Sequence, residues 1–175
     1  MKTTPICFLL ALALCSCRKE NAGSTVVRRD GNPDYVRVTG DSTAAMDAAI
    51  ARSRAEIGVF IKALKAPKPS QTYFSVKKPC PWQDGDTTSH EHIWLSDVTY
   101  QDGKFSGKLA NEPVDVKDLK IGDTVSVDEK EASDWMIIDD NRLVGGYTII
   151  ALRDQMPEAE KREFDASVPF EISPP

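Results

Sequence analysis

Apolar residues recur at helical spacing through the second quarter of the chain. Met46, Ile50, Ile57, Phe60, Ile61 and Leu64 fall on one stripe. Asp41 or Ser42 stands where an N-cap belongs, and Pro67 and Pro69 cannot continue a helix. The pattern predicts one helix over 42–65, packed by its stripe on a sheet. Ahead of it, Val36 and Val38 alternate with Tyr35 and Arg37, which predicts a short strand near 35–39.

Beyond Pro69 the period changes to two. Thr72 to Lys77 alternates like a half-buried strand, and 79–86, with Pro79, Pro81, Asp84, Gly85 and Asp86, reads as a loop. Ile93–Tyr100 and Phe105–Leu109 flank Asp102-Gly103, a pair suited to the two positive φ angles of a tight hairpin. Thr124–Val127 forms another strand after Gly122-Asp123. Trp135–Ile138 and Leu143–Leu152 flank Asp139-Asp140-Asn141, a second predicted hairpin with Gly145-Gly146 inside its return strand. Paired glycines there mark a bulge or a close approach that lets Trp94 or Trp135 pack across the sheet. Pro157, followed by Glu158 and Glu160, opens a last helix to about Ala166, and Phe164, Val168 and Phe170 return to the core. The order predicts an α+β fold: an N-terminal helix on a curved, mainly antiparallel sheet of five to six strands, with a short C-terminal helix.

The first residues carry an address. One Lys precedes the apolar run Ile6–Leu14, which is too short for a membrane span of ~20 residues and has the length of a signal-peptide core. Leu14-Cys15-Ser16-Cys17 resembles a bacterial lipobox, with a small residue just before the lipidated Cys. Residues 1–16 are therefore expected to be a lipoprotein signal peptide, 17–41 a polar flexible tether and 42–175 one domain. Acyl chains on Cys17 would hold the chain on a membrane outside the cytoplasm, in the cell envelope. Cys7 and Cys15 leave with the signal, so Cys80 is the remaining thiol, without an intramolecular disulfide partner.

Composition narrows the classes further. The 175 residues are 41% hydrophobic with a net charge of −5, which excludes a multi-span membrane protein and argues against a general nucleic-acid binder. Charge is uneven: residues 17–83 hold 12 basic and 6 acidic side chains, residues 84–175 hold 9 and 21. Lys62, Lys65, Lys68, Lys77 and Lys78 occupy a stretch without acids, a surface suited to anionic head groups or an anionic partner if they share one exposed face.

Several motifs in order resemble those of the YegJ-like proteins, which carry domain of unknown function 2314. They are Glu91-His92-Ile93-Trp94-Leu95, Gly107 with Asn111-Glu112-Pro113, Gly122-Asp123-Thr124-Val125, Ser133-Asp134-Trp135 and Gly145-Gly146-Tyr147-Thr148. The resemblance spans Met46 to Ile172. It implies bacterial origin and frequent export, and brings no established activity or catalytic residues.

Candidate chemistry is sparse. On a strand, His90 and His92 point to one face and could hold a metal together, but no third His or further Cys completes a structural site, so no metal is assigned. His92, Glu112 and Asp134 supply the side chains of an acid–base cleft only if they converge on one substrate atom. No nucleophile elbow or phosphate loop accompanies them, and no cofactor is implied. Trp82, Trp94, Trp135 and Tyr147 could form an aromatic groove for a peptide or glycan, with core packing as the alternative for each. The sequence thus favours a non-catalytic binding or scaffold lipoprotein with an envelope protein or glycan partner. The alternative is an envelope hydrolase using His92, Glu112 and Asp134.

Overall fold

The computed structural model describes residues 27–29, 32–37 and 42–172, with side chains from 43 onward. The signal segment and Cys17 lie outside the described residues. Within the predicted tether, β1 (Val27–Arg29) pairs antiparallel with β2 (Asn32–Arg37), so the strand expected near 35–39 starts earlier.

The main body is α+β. A six-stranded, wholly antiparallel sheet runs in the order β6-β5-β4-β3-β7-β8, and helices precede and follow it in sequence. Its strands are β3 (Gln71–Asp84), β4 (Thr87–Gln101), β5 (Lys104–Leu109), β6 (Thr124–Asp128), β7 (Asp134–Asp139) and β8 (Arg142–Gly145). The hairpins at Asp102-Gly103 and Asp140-Asn141 form as the sequence predicts, all four residues having positive φ.

The helix expected over 42–65 is two helices, α1 (Ser42–Ala55) and α2 (Ile57–Lys65), broken at Glu56. The cause lies in the sheet. The Trp135 indole N–H donates to the Ser53 carbonyl at 3.0 Å, an oxygen that a continuous helix would bond to the Ile57 N–H. The break splits the apolar stripe. In α1 the buried residues are the small Ala49 and Ser53, which allow close approach to Trp135; in α2 Phe60 is buried, with Ile57, Ile61 and Leu64 packed around the core. The Phe60 ring meets those of Phe105, Trp135 and Phe74 at centroid distances of 5.6, 5.7 and 6.0 Å.

The predicted loop 79–86 is also corrected. Residues 79–84 extend β3, and Gly85-Asp86 make the turn of a long hairpin arm into β4. Two prolines are tolerated because β7 pairs with β3 only as far as Lys77↔Asp134. The Ser133 N–H bonds the Lys77 carbonyl on that side, so backbone alternation turns the nitrogens of Pro79 and Pro81 toward the open edge, where no donor is needed. The same prolines discourage a foreign strand from pairing there. Cys80 lies on the buried face, and its thiol pKa is pushed up by burial.

The return strand predicted to reach Leu152 stops at Gly145. Residues from Tyr147 form α3 (Tyr147–Asp154), which packs beside α1, and α4 (Glu158–Ser167) follows. Thus two helices, rather than one, close the domain. Phe164, Val168 and Phe170 are half-buried, and Glu171 bonds alongside β8. Gly145 ends the strand rather than bulging within it. At φ +76°, an added Cβ would sit 2.5 Å from the Trp135 ring. Gly145→Ala should therefore destabilise the domain by about 3 kcal/mol, from overpacking and left-handed strain together. A thermal melt matching wild type would show that Trp135 has room to retreat.

Candidate functional site

Strands β3, β4 and β7 bring Lys77, Trp94 and Asp134 to one level, since Lys77 is opposite both of the others in register. Alternation puts His92 and His90 on that same face of β4 and turns Glu91 to the Phe60 side. This gives the face a polar cluster, with Ser133 at the entrance to β7.

Asp134 is fully buried and accepts four hydrogen bonds. Its Oδ1 takes the N–H groups of Trp135 (2.8 Å) and Tyr147 (3.2 Å); its Oδ2 takes the N–H (2.8 Å) and hydroxyl (2.6 Å) of Thr148. The N-cap of α3 is Gly146, which has no side chain to offer. The carboxylate supplies the cap from a neighbouring strand, with its negative charge at the positive end of the helix. Thr148 Oγ1 accepts in turn from Lys77 Nζ at 2.7 Å, and that ammonium lies 4.4 Å from the Trp94 ring centroid. Burial lowers the Lys77 pKa, with the Asp134 charge opposing the shift.

His92 closes the cluster. Its Nδ1 is 2.8 Å from Ser133 Oγ, and the serine hydroxyl donates to the Lys77 carbonyl at 3.3 Å. With its one proton so used, Ser133 accepts from His92 Nδ1–H, which leaves Nε2 as a bare lone pair. The residue is solvent-exposed overall while its Nδ1 edge is packed against β7. Desolvation of that edge, reinforced by the positive charges of Lys77, His90 and Arg54, brings the imidazole pKa down to about 4.

Glu112 sits elsewhere. On the opposite face, Glu91 accepts the backbone N–H groups of Val114, Asp115 and Val116 at 2.8, 2.9 and 3.1 Å, and so clamps the 110–123 loop over the core. Glu112 is exposed on that loop and accepts from Ile121 N–H at 3.3 Å. His92 and Asp134 are thus neighbours through Ser133 and Lys77, and Glu112 belongs to a separate network.

The four aromatic candidates likewise divide. Trp135 is a core residue. Tyr147 meets it edge-on at 5.7 Å and donates its hydroxyl to Glu56, under the Arg52 guanidinium. Burial first, then Glu56, pushes the Tyr147 pKa up to about 12. Trp94 lies half-buried on the other face beside Lys77, and Trp82 half-buried far out on the arm. They line no common groove. Of the lysine stretch, Lys62, Lys65 and Lys68 are exposed near the end of α2, whereas Lys77 turns inward to Thr148, so the five do not share a surface.

A feature that the sequence reading missed is a cleft of about 690 Å³ between the C-terminal segment and the face of the sheet opposite Phe60. Tyr73, Met136, Ile138 and Phe170 form its apolar lining, with Asp140 and Asn141 at the adjoining turn. The available signal was Trp135–Ile138, whose unbroken apolar run marks a strand covered on both faces. No group of three or more metal-ligating side chains occurs among the described residues, and no helix among them is long and apolar enough to cross a membrane.

Residues 43–172 match the family model described as an uncharacterized protein conserved in bacteria, DUF2314, and the chain belongs to that family. It is 35% identical over 124 residues to the uncharacterized protein YegJ of Escherichia coli (strain K12), covering 71% of this chain and 77% of that one. It is also 35% identical over 103 residues to a putative ankyrin repeat protein of Neisseria meningitidis serogroup B, covering 58% of this chain and 41% of that protein. No solved structure matches the chain.

Proposed function

We propose that the chain is a lipid-anchored module of the bacterial cell envelope that binds or scaffolds a partner rather than catalysing a reaction. The observation that supports the non-catalytic part is that the three candidate acid–base groups do not converge. Asp134 is buried as the cap of α3, and Glu112 stands on the opposite face in a network separate from His92. The anchor rests on the Leu14-Cys15-Ser16-Cys17 pattern, and the 17–41 tether would let the domain reach an envelope protein or glycan. The cleft beside Tyr73 and Phe170 offers that partner an apolar floor with polar groups at its mouth.

Labelling with an alkyne fatty acid should mark the wild type and spare Cys17→Ala; equal labelling of both would remove the anchor from the reading. Crosslinked pull-down from the native envelope, against the same variant, then tests for a partner. A hydrolase is the second reading, favoured by the exposed His92 side chain held at Nδ1 by Ser133. Hydrolysis of an envelope substrate abolished by His92→Gln would establish it.

A further inference from the structure

We propose that His90 and His92 form a two-imidazole site for a divalent transition-metal ion of the Cu2+ class, completed by water. The two residues are separated by one position on β4, so their side chains leave the same face. Both are exposed, and their ring centroids are 6.5 Å apart with planes inclined at 54°. Two imidazoles on one ion, each at ~2.0–2.1 Å, place ring centres about 4.5 Å apart when cis and about 6.5 Å when trans, so side-chain rotation that draws the rings together completes the site.

The support around the rings fits that role. Ser133 holds the Nδ1–H of His92 and so presents Nε2 as a ready lone pair, the arrangement in which an outer hydrogen bond fixes a ligating histidine. The backbone is stiff as well, because His92 is opposite Pro79 and His90 opposite Pro81 in the hairpin arm. The Lys77 ammonium is engaged by Thr148 and the Trp94 ring, although its charge still acts on His92. Neither ligand is an oxygen or a thiolate, since Glu91 and Cys80 belong to the other face. Nitrogen-only ligation disfavours Ca2+ and Mg2+, and among imidazole-seeking ions Cu2+ binds most strongly.

The test is titration of the mature protein with Cu2+, read by electron paramagnetic resonance. One equivalent should bind with nitrogen hyperfine structure from two imidazoles, and Mg2+ should not compete. His90→Gln and His92→Gln should each leave one nitrogen and weaken binding by at least about tenfold. Ser133→Ala should weaken it roughly 10- to 100-fold while keeping both nitrogens, provided its circular dichroism matches wild type. His90 is exposed on the hairpin arm, so His90→Gln keeps the idea falsifiable if the His92 variant fails to fold. A one-nitrogen spectrum in wild type, or Cu2+ binding indifferent to His90→Gln, would overturn the proposal.

Discussion

Phe60→Ala will destabilise the domain by about 3–5 kcal/mol, the range for truncating a fully buried aromatic side chain. Phe60 is 0% exposed, and it alone bridges α2 to rings on β3, β5 and β7. Alanine there removes a large apolar area from the core and leaves a cavity walled by strands that cannot collapse into it. The melting temperature should fall on the order of 10–20 °C. Ile57→Ala should cost visibly less, because Ile57 is only partly buried at the helix break. Equal effects at the two positions would show that α2 is held by its whole stripe rather than by one anchor.

Asp134→Ala has a comparable expected effect for a different reason. The substitution leaves the first N–H groups of α3 without their cap and strands the Lys77 ammonium in a desolvated position. The carboxylate and the ammonium are linked through the Thr148 hydroxyl. Removing the counter-charge of a buried cation costs about 3–5 kcal/mol when the two are paired, most of it the penalty on the charge left behind. Chemical denaturation should report that loss. Adding Lys77→Met should recover part of it, because the uncompensated charge goes too, and the two changes should be clearly non-additive. Hydrogen exchange should quicken first in Tyr147 to Ile150. A loss below about 1 kcal/mol, with additive behaviour, would mean that solvent replaces the cap and that this network does not tie the helix to the sheet.

The elements that local pattern determines were legible in the sequence. Asp102-Gly103 and Asp139-Asp140-Asn141 lie between alternating apolar runs, and both make hairpins, because two residues at positive φ are a local demand that few residue types meet. The α+β class and the strand at Thr124 follow from period and order, while the family was legible separately, through the resemblance of several motifs. The shared face of His90 and His92 was legible only on condition that they lie in a strand, and the strand expected from Ile93 did not reach them, whereas β4 does.

Tertiary structure decided the rest. A side chain from β7 takes the Ser53 carbonyl, and one helix becomes two; nothing within 42–65 announces that partner. Prolines read as a loop become strand residues because β7 begins only at Asp134, opposite Lys77, and leaves their nitrogens facing an open edge. Leu143–Leu152 is apolar enough for a strand, yet it bends into α3 at Gly145 and Gly146, where Trp135 occupies the space a side chain would need and Asp134 offers the cap. The separation of Glu112 from His92 and Asp134 has the same origin: which carboxylates meet is set by strand register and by the Glu91 clamp, and neither is written in residue spacing. Local preferences are short-ranged and show in one stretch of chain. Pairing, edges and caps supplied from a distance depend on which segments become neighbours, and only the folded chain brings them together.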